Sequence, residues 1–342
     1  MPKSIAFITS SSVEVTSHFP SFQMEASMFE SNAFELPFTP DDQLVVDALR
    51  REGFVVEAVN WGVSPALLEA FDLVVMRSPW DYSHTEESRQ QFCAWLHALN
   101  DHDPAIPLEN SVDLMVWLLD KQYLLDFQSE GVSIVPTECL PKGLQSKEPL
   151  ITFLVQHQGA ILKPCVSASG KGLFFIQSVE ELHERWHVIS QALSERDYLL
   201  QPFLSDIQTE GEWSLMYLDG QYSHAVRKRP ASGQILVQSN HGGQVLFEEP
   251  PEAVIQFGQQ VMDVLPSVAE TALNQKEKTF NQQLKDKEPF YSHRPMYMRL
   301  DIIPSAEGLV LTECEGVEPE LFFRANPKSI PTFFQAVLSR IR

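Results

Sequence analysis

The chain reads as two architectures in series, an α/β domain with a mostly parallel sheet followed by an α+β region that ends in antiparallel strands. Three observations predict this. Short apolar runs alternate with helical periodicity over roughly the first 110 residues, the pattern of a parallel sheet flanked by helices. From Glu212 the pattern changes to paired β-runs, Trp213 to Leu218 and Gln221 to Arg227, around a turn at Asp219-Gly220. The length, 342 residues with 44% hydrophobic side chains, suits two or three packed subdomains rather than one.

Taken in order, Ser4 to Thr9 is a short apolar run bounded by polar residues and reads as a buried strand. Ser17 to Pro40, rich in Phe and Pro, has no clear period and reads as an ordered loop or insertion. Asp41-Asp42 reads as the cap of a helix whose apolar positions are Leu44, Val45, Ala48 and Leu49, ending at Gly53. Phe54 to Val59 and Phe71 to Met76 are predicted strands. Thr85 to Asn100 is a predicted amphipathic helix carrying Phe92, Trp95, Leu96 and Leu99. A helix-rich passage follows from Ser111 to about Gly131. Helix is predicted over Ile151 to Gly159 and Val179 to Ser194, and strand over Ala160 to Lys163, Phe174 to Ile176 and Tyr198 to Phe203. Pro251 to about Lys287 is helical and increasingly polar, with Asn274 to Glu288 a solvated helix or excursion. The expected units are 1–110, 111–200 and 201–342.

The 25 basic and 46 acidic side chains give a formal charge of −21, a surface that repels phosphate backbones and anionic membranes. A nucleic-acid partner is therefore not expected. Cys93, Cys139, Cys165 and Cys314 have neither C-x-x-C nor Cys/His metal spacing and read as reduced thiols of a cytoplasmic protein. No apolar run approaches membrane-spanning length, and the start is too short in apolar residues for a signal peptide.

Three separated segments carry the chemistry. Lys163 closes the apolar strand Ile161-Leu-Lys163, and the small side chains of Ser167-Ala-Ser169-Gly170-Lys-Gly172 let backbone N–H groups approach phosphate oxygens. The G-x-x-x-x-G-K-[ST] pattern is absent, and an ordinary Gly/Ser turn is the competing reading. Tyr297 to Ile303 and Leu309 to Glu315 flank a turn at Pro304 to Gly308. With the turn centred near Ala306, residues 301 and 311 pair, as do 299 and 313. Arg299, Asp301, Glu313 and Glu315 then share one face, with Asp301 and Glu313 diagonal neighbours. Clustered carboxylates repel unless a cation lies between them, and an all-oxygen site suits Mg²⁺, with Mn²⁺ as a substitute. Acidic decoration of a solvent-facing hairpin is the alternative.

Lys228 follows the second antiparallel strand and reads as within reach of a γ-phosphate, and Lys121, in Leu118-Leu-Asp-Lys121-Gln-Tyr, reads as a second phosphate lysine, with a surface charge the competing reading for each. Arg299 offers a fork to a phosphoryl oxygen. Gln201-Pro-Phe203-Leu204 leaves an apolar strand and would present backbone groups to an adenine edge; a core strand and a turn is the competing reading. Arg77-Ser-Pro-Trp80-Asp81-Tyr82 follows a strand at its carboxyl end, where α/β ligand sites gather. There Arg77 would meet a substrate carboxylate and Asp81 an ammonium or hydroxyl; a helix entry held by local hydrogen bonds is the competing reading.

In this order the motifs resemble the ATP-grasp superfamily of carboxylate–amine ligases, in the glutathione-synthetase-like branch that contains the O-ureido-D-serine cyclo-ligase of cycloserine biosynthesis. The resemblance runs from Val75-Met-Arg77-Ser-Pro-Trp80-Asp81-Tyr82 and Asn110 through Lys121 to Gln201-Pro-Phe and Gly211-Glu212-x-Ser-Leu. It continues through His241-Gly242-Gly243 and Arg299-x-Asp301 to Glu313-x-Glu315-x-x-Glu318-Pro-x-Leu-Phe-Phe323. It implies an ATP-grasp fold behind a Rossmann-like N-terminal domain. Lys121 and Lys163 would hold the α- and β-phosphates, with residues 167–172, including Ser167, Ser169 and Gly170, as a loop over them. Gln201, Phe203 and Leu204 would bind adenine, with Glu212 on the nucleotide side and Lys228 near the γ-phosphate. Asp301, Glu313 and Glu315 would hold Mg²⁺, Arg299 would steady the transferring phosphoryl group, and Gly242 and Gly243 would lie beside the substrate. The partners implied are a small carboxylate and an amine, and relatives of this kind commonly form dimers. Gln234 to Gln238 lacks an arginine expected in relatives, which leaves Arg227 or Arg229 to supply that contact. The alternatives are a nucleotide-binding regulator that transfers nothing and a kinase acting on a hydroxyl.

Overall fold

The structure, a computed structural model, describes residues 2–10, 38–167, 170–231, 243–280 and 294–341. The expectations for residues 17–37, for Gln234 to Gln238 and for the polar passage from 281 to 288 lie outside the described residues.

The N-terminal sheet is fully parallel, with strands β1 (Ser4–Thr9), β2 (Val55–Asn60), β3 (Leu73–Ser78) and β4 (Leu108–Glu109) in the order β2-β1-β3-β4. Helices α1 (Pro40–Arg51), α2 (Pro65–Leu68) and α3 (Glu86–Asn100) connect them. β1 and β3 read as continuous apolar runs because both of their faces are covered. α3 starts at a Thr85/Ser88 capping box.

The cap of α1 is a correction. Thr39, not Asp41-Asp42, holds the N-cap position, and its Oγ accepts from the Asp42 amide at 3.0 Å. Asp41 and Asp42 are buried instead, and each engages an arginine from elsewhere in the fold.

Helices α4 (Val112–Leu118) and α5 (Tyr123–Ser129) lead to a small lobe. It is built from β5 (Glu138–Leu140), α6 (Glu148–Gln156), β6 (Ala160–Pro164), β7 (Phe174–Ile176), α7 (Val179–Glu195) and β8 (Tyr198–Pro202). Its sheet runs β5-β8-β6-β7 with antiparallel neighbours. The lobe packs around its own core, which includes Leu150, Leu162, Leu182, Ile189 and Leu200. Of its strands, Cys165 just past β6 and Leu199 on β8 join the main core.

The remaining elements are α8 (Asp206–Thr209), β9 (Glu212–Leu218), β10 (Gln221–Arg229), β11 (Gln244–Leu246), α9 (Glu252–Phe280), β12 (Tyr297–Ser305), β13 (Gly308–Glu315) and α10 (Ile330–Leu338). The sheet order is β11-β10-β9-β12-β13, antiparallel throughout. Asp219 and Gly220, at φ 51° and 70°, make the tight β9–β10 turn expected of that pair. Two buried groups tie this sheet to the N-terminal one. The Tyr297 hydroxyl donates to Met76 O and Val317 O. The Asn110 amide donates to Tyr297 O and Gly316 O and accepts from Met296 N.

His224 on β10 is 3% exposed and donates Nε2–H to Leu321 O at 2.8 Å. Burial pushes its pKa from 6.5 down to about 4. Below pH 6.5 the unfolded chain takes up a proton that the folded chain refuses until about pH 4, so stability falls across that window. The loss is of order 3 kcal/mol. His224→Gln, which retains an amide donor, is expected to flatten this part of a melting-temperature profile against pH.

Candidate active site

Four consecutive strands of the second sheet aim polar side chains from one face. Register places Lys228 opposite Glu212, Asp301 opposite Ser214, Asp301 opposite Glu313 and Arg299 opposite Glu315. The sequence places all four hairpin groups on one face, and they are there, but by another route. The β12–β13 turn is tighter than expected, with Ser305 paired to Gly308, and Thr312 is bulged out between Leu311 and Glu313. A one-residue slip moves a strand's side chains to the opposite face. Without the bulge Glu313 would face away from Asp301. With it, the two are direct partners rather than diagonal ones. Thr312 Oγ donates to Asp301 O at 3.0 Å and reaches Glu212 at 3.3 Å.

Asp301 is the hub, 1% exposed. It accepts from Arg299 Nε and Nη2 at 3.0 and 2.9 Å, from Lys228 at 3.1 Å and from Ser214 Oγ at 2.5 Å. Lys228 also pairs with Glu212 at 2.7 Å, and Arg299 with Glu315 at 2.7 Å. Burial works against ionisation of Asp301, but Arg299 and Lys228 outweigh it and hold its carboxyl below the usual range. The balance differs at Glu315, where burial and then Glu313 and Asp301 push the carboxyl up to about 8 despite Arg299.

Lys163 closes the gap between lobes. On β6 the alternation puts Ile161 and Lys163 away from the lobe core, and Lys163 Nζ lies 2.5 Å from Glu313 Oε1. Lys121, between α4 and α5, lies 3.8 Å from the same oxygen and donates to Ser167 O at 2.6 Å. Its backbone amide donates to Cys165 O, so this connection props up the start of the small-residue loop. Lys163 and Lys121 outweigh burial and hold Glu313 well below the carboxylate range. One oxygen each from Asp301, Glu313 and Glu315 lies within 4.8 Å of the others, a hard-donor set suited to a divalent cation.

Of the other sequence-derived residues, Gly170 is at φ 69°, and Ser169 and Gly242 lie outside the described residues. Gly243 leads into β11 beside Arg229. Gln201 is buried on β8 and donates to Thr137. The Phe203 ring lies tilted against Phe175, centroids 4.7 Å apart, and its amide is already bonded to Gly159 O. Leu204 packs with Val135, Ile303 and Val310.

Arg77 is 2% exposed, paired with Asp42 at 2.8 Å and lying 5.2 Å over the Tyr297 ring. Asp81 accepts from the Trp61 indole at 2.6 Å. Trp80 and Tyr82 fasten the turn after β3 to Glu318, on the loop that follows β13. Ser214, Thr312 and Glu320 carry no signal in the sequence, and Asp41 carries only that of a helix cap. Ser214 and Thr312 look like ordinary strand residues, and Asp41 looks like a helix cap.

Gly211 at φ 71° precedes Glu212, and a Cβ there would meet Lys228 O at 2.6 Å. Gly53 at φ 89° has open space around the same position. Gly211→Ala is expected to cost more stability than Gly53→Ala, by about 1–3 kcal/mol in chemical denaturation. Equal losses would mean that strain alone, not the contact with β10, sets the cost.

This fold and this face define an ATP-grasp protein. Residues 132–268 match the family described as the ATP-grasp domain of prokaryotic glutathione synthetase, and residues 5–110 match the N-terminal domain of D-cycloserine synthetase DcsG. The chain thus carries an ATP-grasp domain behind a domain similar to the N-terminal one of D-cycloserine synthetase. It is 28% identical over 202 residues to the cycloserine biosynthesis protein DcsG of Streptomyces lavendulae, covering 58% of this chain and 65% of that protein. The matched segment thus spans just under two thirds of the curated relative. The crystal structure of D-cycloserine synthetase DcsG superposes with a TM-score of 0.73 at 21% identity, covering 99% of this chain and 100% of that one. D-alanine–D-alanine ligase from Bacillus anthracis complexed with ATP superposes with a TM-score of 0.58 at 10% identity, covering 99% and 97%. No helix among the described residues is long and apolar enough to cross a membrane.

Proposed function

We propose that the protein is an ATP-dependent ligase that activates a small carboxylate as an acyl phosphate and joins it to a nitrogen nucleophile. The observation that carries this is Lys163 Nζ, 2.5 Å from Glu313 across the cleft between lobes, beside three carboxylates that converge within 4.8 Å. A protein that only bound nucleotide would need no such convergence. Asp301, Glu313 and Glu315 would hold Mg²⁺, which neutralises charge on the transferring phosphoryl group when bound.

In the first step a carboxylate oxygen attacks the γ-phosphorus, and the bond to the β–γ bridging oxygen breaks to release ADP. In the second, a nitrogen lone pair attacks the acyl carbon, phosphate leaves with the acyl C–O bonding pair, and the nitrogen loses a proton. Lys121 and Lys163 bind the α- and β-phosphates, with Ser167 and Gly170 on the side from which water must be excluded to protect the acyl phosphate. Lys228 reaches the γ-phosphate, and Arg299, fixed by Asp301, orients the phosphoryl oxygens. Little covalent help is required, because placement and charge supply most of the rate. Gln201 to Leu204 line the adenine side.

The test is ADP release in Mg-ATP with pooled amino acids, followed by hydroxylamine trapping and product mass spectrometry. Substrate-dependent ADP and a hydroxamate are expected. ADP release without a hydroxamate would favour transfer to a hydroxyl, and nucleotide binding without turnover would sink the proposal.

A further inference from the structure

Just past β6, three consecutive carbonyl oxygens are each held by a group from another part of the chain. Cys165 O accepts from the Lys121 amide at 2.8 Å, and Ser167 O accepts from Lys121 Nζ at 2.6 Å. Between them, Val166 O accepts from Arg89 Nη1 at 3.0 Å. Arg89 lies in the first turn of α3, so this middle hold comes from the N-terminal domain. The segment also borders the cleft, because Lys121 Nζ is 3.8 Å from Glu313.

A peptide can show an anion either its N–H or its carbonyl oxygen, and a trans peptide points the two in opposite directions. An oxygen turned toward a phosphate repels it, whereas successive N–H groups form an anion-binding concavity. With Val166 O fixed on Arg89, the Ser167 N–H is held on the side away from α3. Loss of the guanidinium would free that peptide to turn its oxygen round.

Arg89 keeps this place at a cost. It is 7% exposed, and its Nε is buried with no partner among the described residues. Burial, and then the nearby Arg196, work against its charge. The carboxylate it pairs with, Glu86, is exposed and sits on the same helix, so that pair ties no domains together. A contact made for stability alone gains nothing from an unpaired buried donor.

We propose that Arg89 is a positioning residue for nucleotide binding, fixing from the N-terminal domain the peptide orientation at the segment that meets the phosphates of Mg-ATP. The assignment rests on the ligase reading for the identity of the ligand, but binding alone can test it.

The experiment measures calorimetric Mg-ATP affinity on the full chain for wild type, Arg89→Met and Arg89→Lys. The melting temperature without nucleotide is the control for folding. Arg89→Met is expected to weaken Mg-ATP roughly 10–100-fold, the scale of a hydrogen bond to a charged group. Arg89→Lys, which keeps the charge and a donor, is expected to recover most of that loss. In turnover the loss should fall on KM for ATP rather than on kcat, as for an interaction made equally in the ground and transition states. Full affinity in a folded Arg89→Met, an equal loss in Arg89→Lys, or a loss confined to kcat would each overturn the assignment. If Arg89→Met does not fold, hydrogen exchange on the wild type decides. Mg-ATP should then slow exchange both in the peptide carrying Val166 and in the turn of α3 carrying Arg89, and an unchanged α3 overturns the assignment. The expected affinities without any turnover sink the ligase reading alone, whereas substrate-driven ADP release with wild-type KM for ATP in Arg89→Met sinks the Arg89 assignment alone.

Discussion

Glu313→Gln is expected to lower substrate-dependent ADP release by about 10³-fold or more, with little change in melting temperature. Glu313 sits where both sets of charges meet: it is 2.5 Å from Lys163 and 3.8 Å from Lys121, and it supplies one of the three convergent oxygens. Glutamine keeps the shape and one oxygen but loses the charge that a hard cation requires. Its stability cost is small because Lys121 and Lys163 retain 12% and 16% side-chain exposure, so water can solvate them once the carboxylate is gone. Turnover within tenfold of wild type would remove Glu313 from the metal site.

Asp301→Asn should behave differently, losing both activity and stability. Asp301 takes two bonds from Arg299, one from Lys228 and one from Ser214, in a site 1% exposed. An asparagine amide turns donors toward donors and leaves Lys228 and Arg299 with one carboxylate each, Glu212 and Glu315, in place of two. Breaking a buried pair in this way costs about 3–5 kcal/mol, a fall in melting temperature of order 5–10 °C. An undiminished melting temperature in this variant would mean that the Arg299–Lys228 network carries no net stability.

What the sequence made legible follows from the range of the interaction behind it. β1, β3 and the β9–β10 turn were readable because burial on both faces and a turn needing positive φ leave marks within a few residues. The face shared by Arg299, Asp301, Glu313 and Glu315 was readable from alternation, although the pairing was not, since neither the turn length nor the Thr312 bulge has a local signature. Asp41-Asp42 misled because acidic residues at a helix start are the ordinary sign of a cap, and their arginine partners lie 35 and 283 residues away. Lys163 reads as a phosphate lysine through its neighbours, but its approach to Glu313 depends on how two lobes pack, which no local pattern encodes.

That packing has a thermodynamic corollary. Glu313 pairs with Lys163 and Lys121, so on the ligase reading proposed above each lysine would change partners before it could grip a phosphate. A divalent ion at Glu313 would set both ammonium groups loose, and a triphosphate at the lysines would bare Glu313 for the ion. Each guest would prepare the seat of the other, and by linkage the benefit would be mutual and equal.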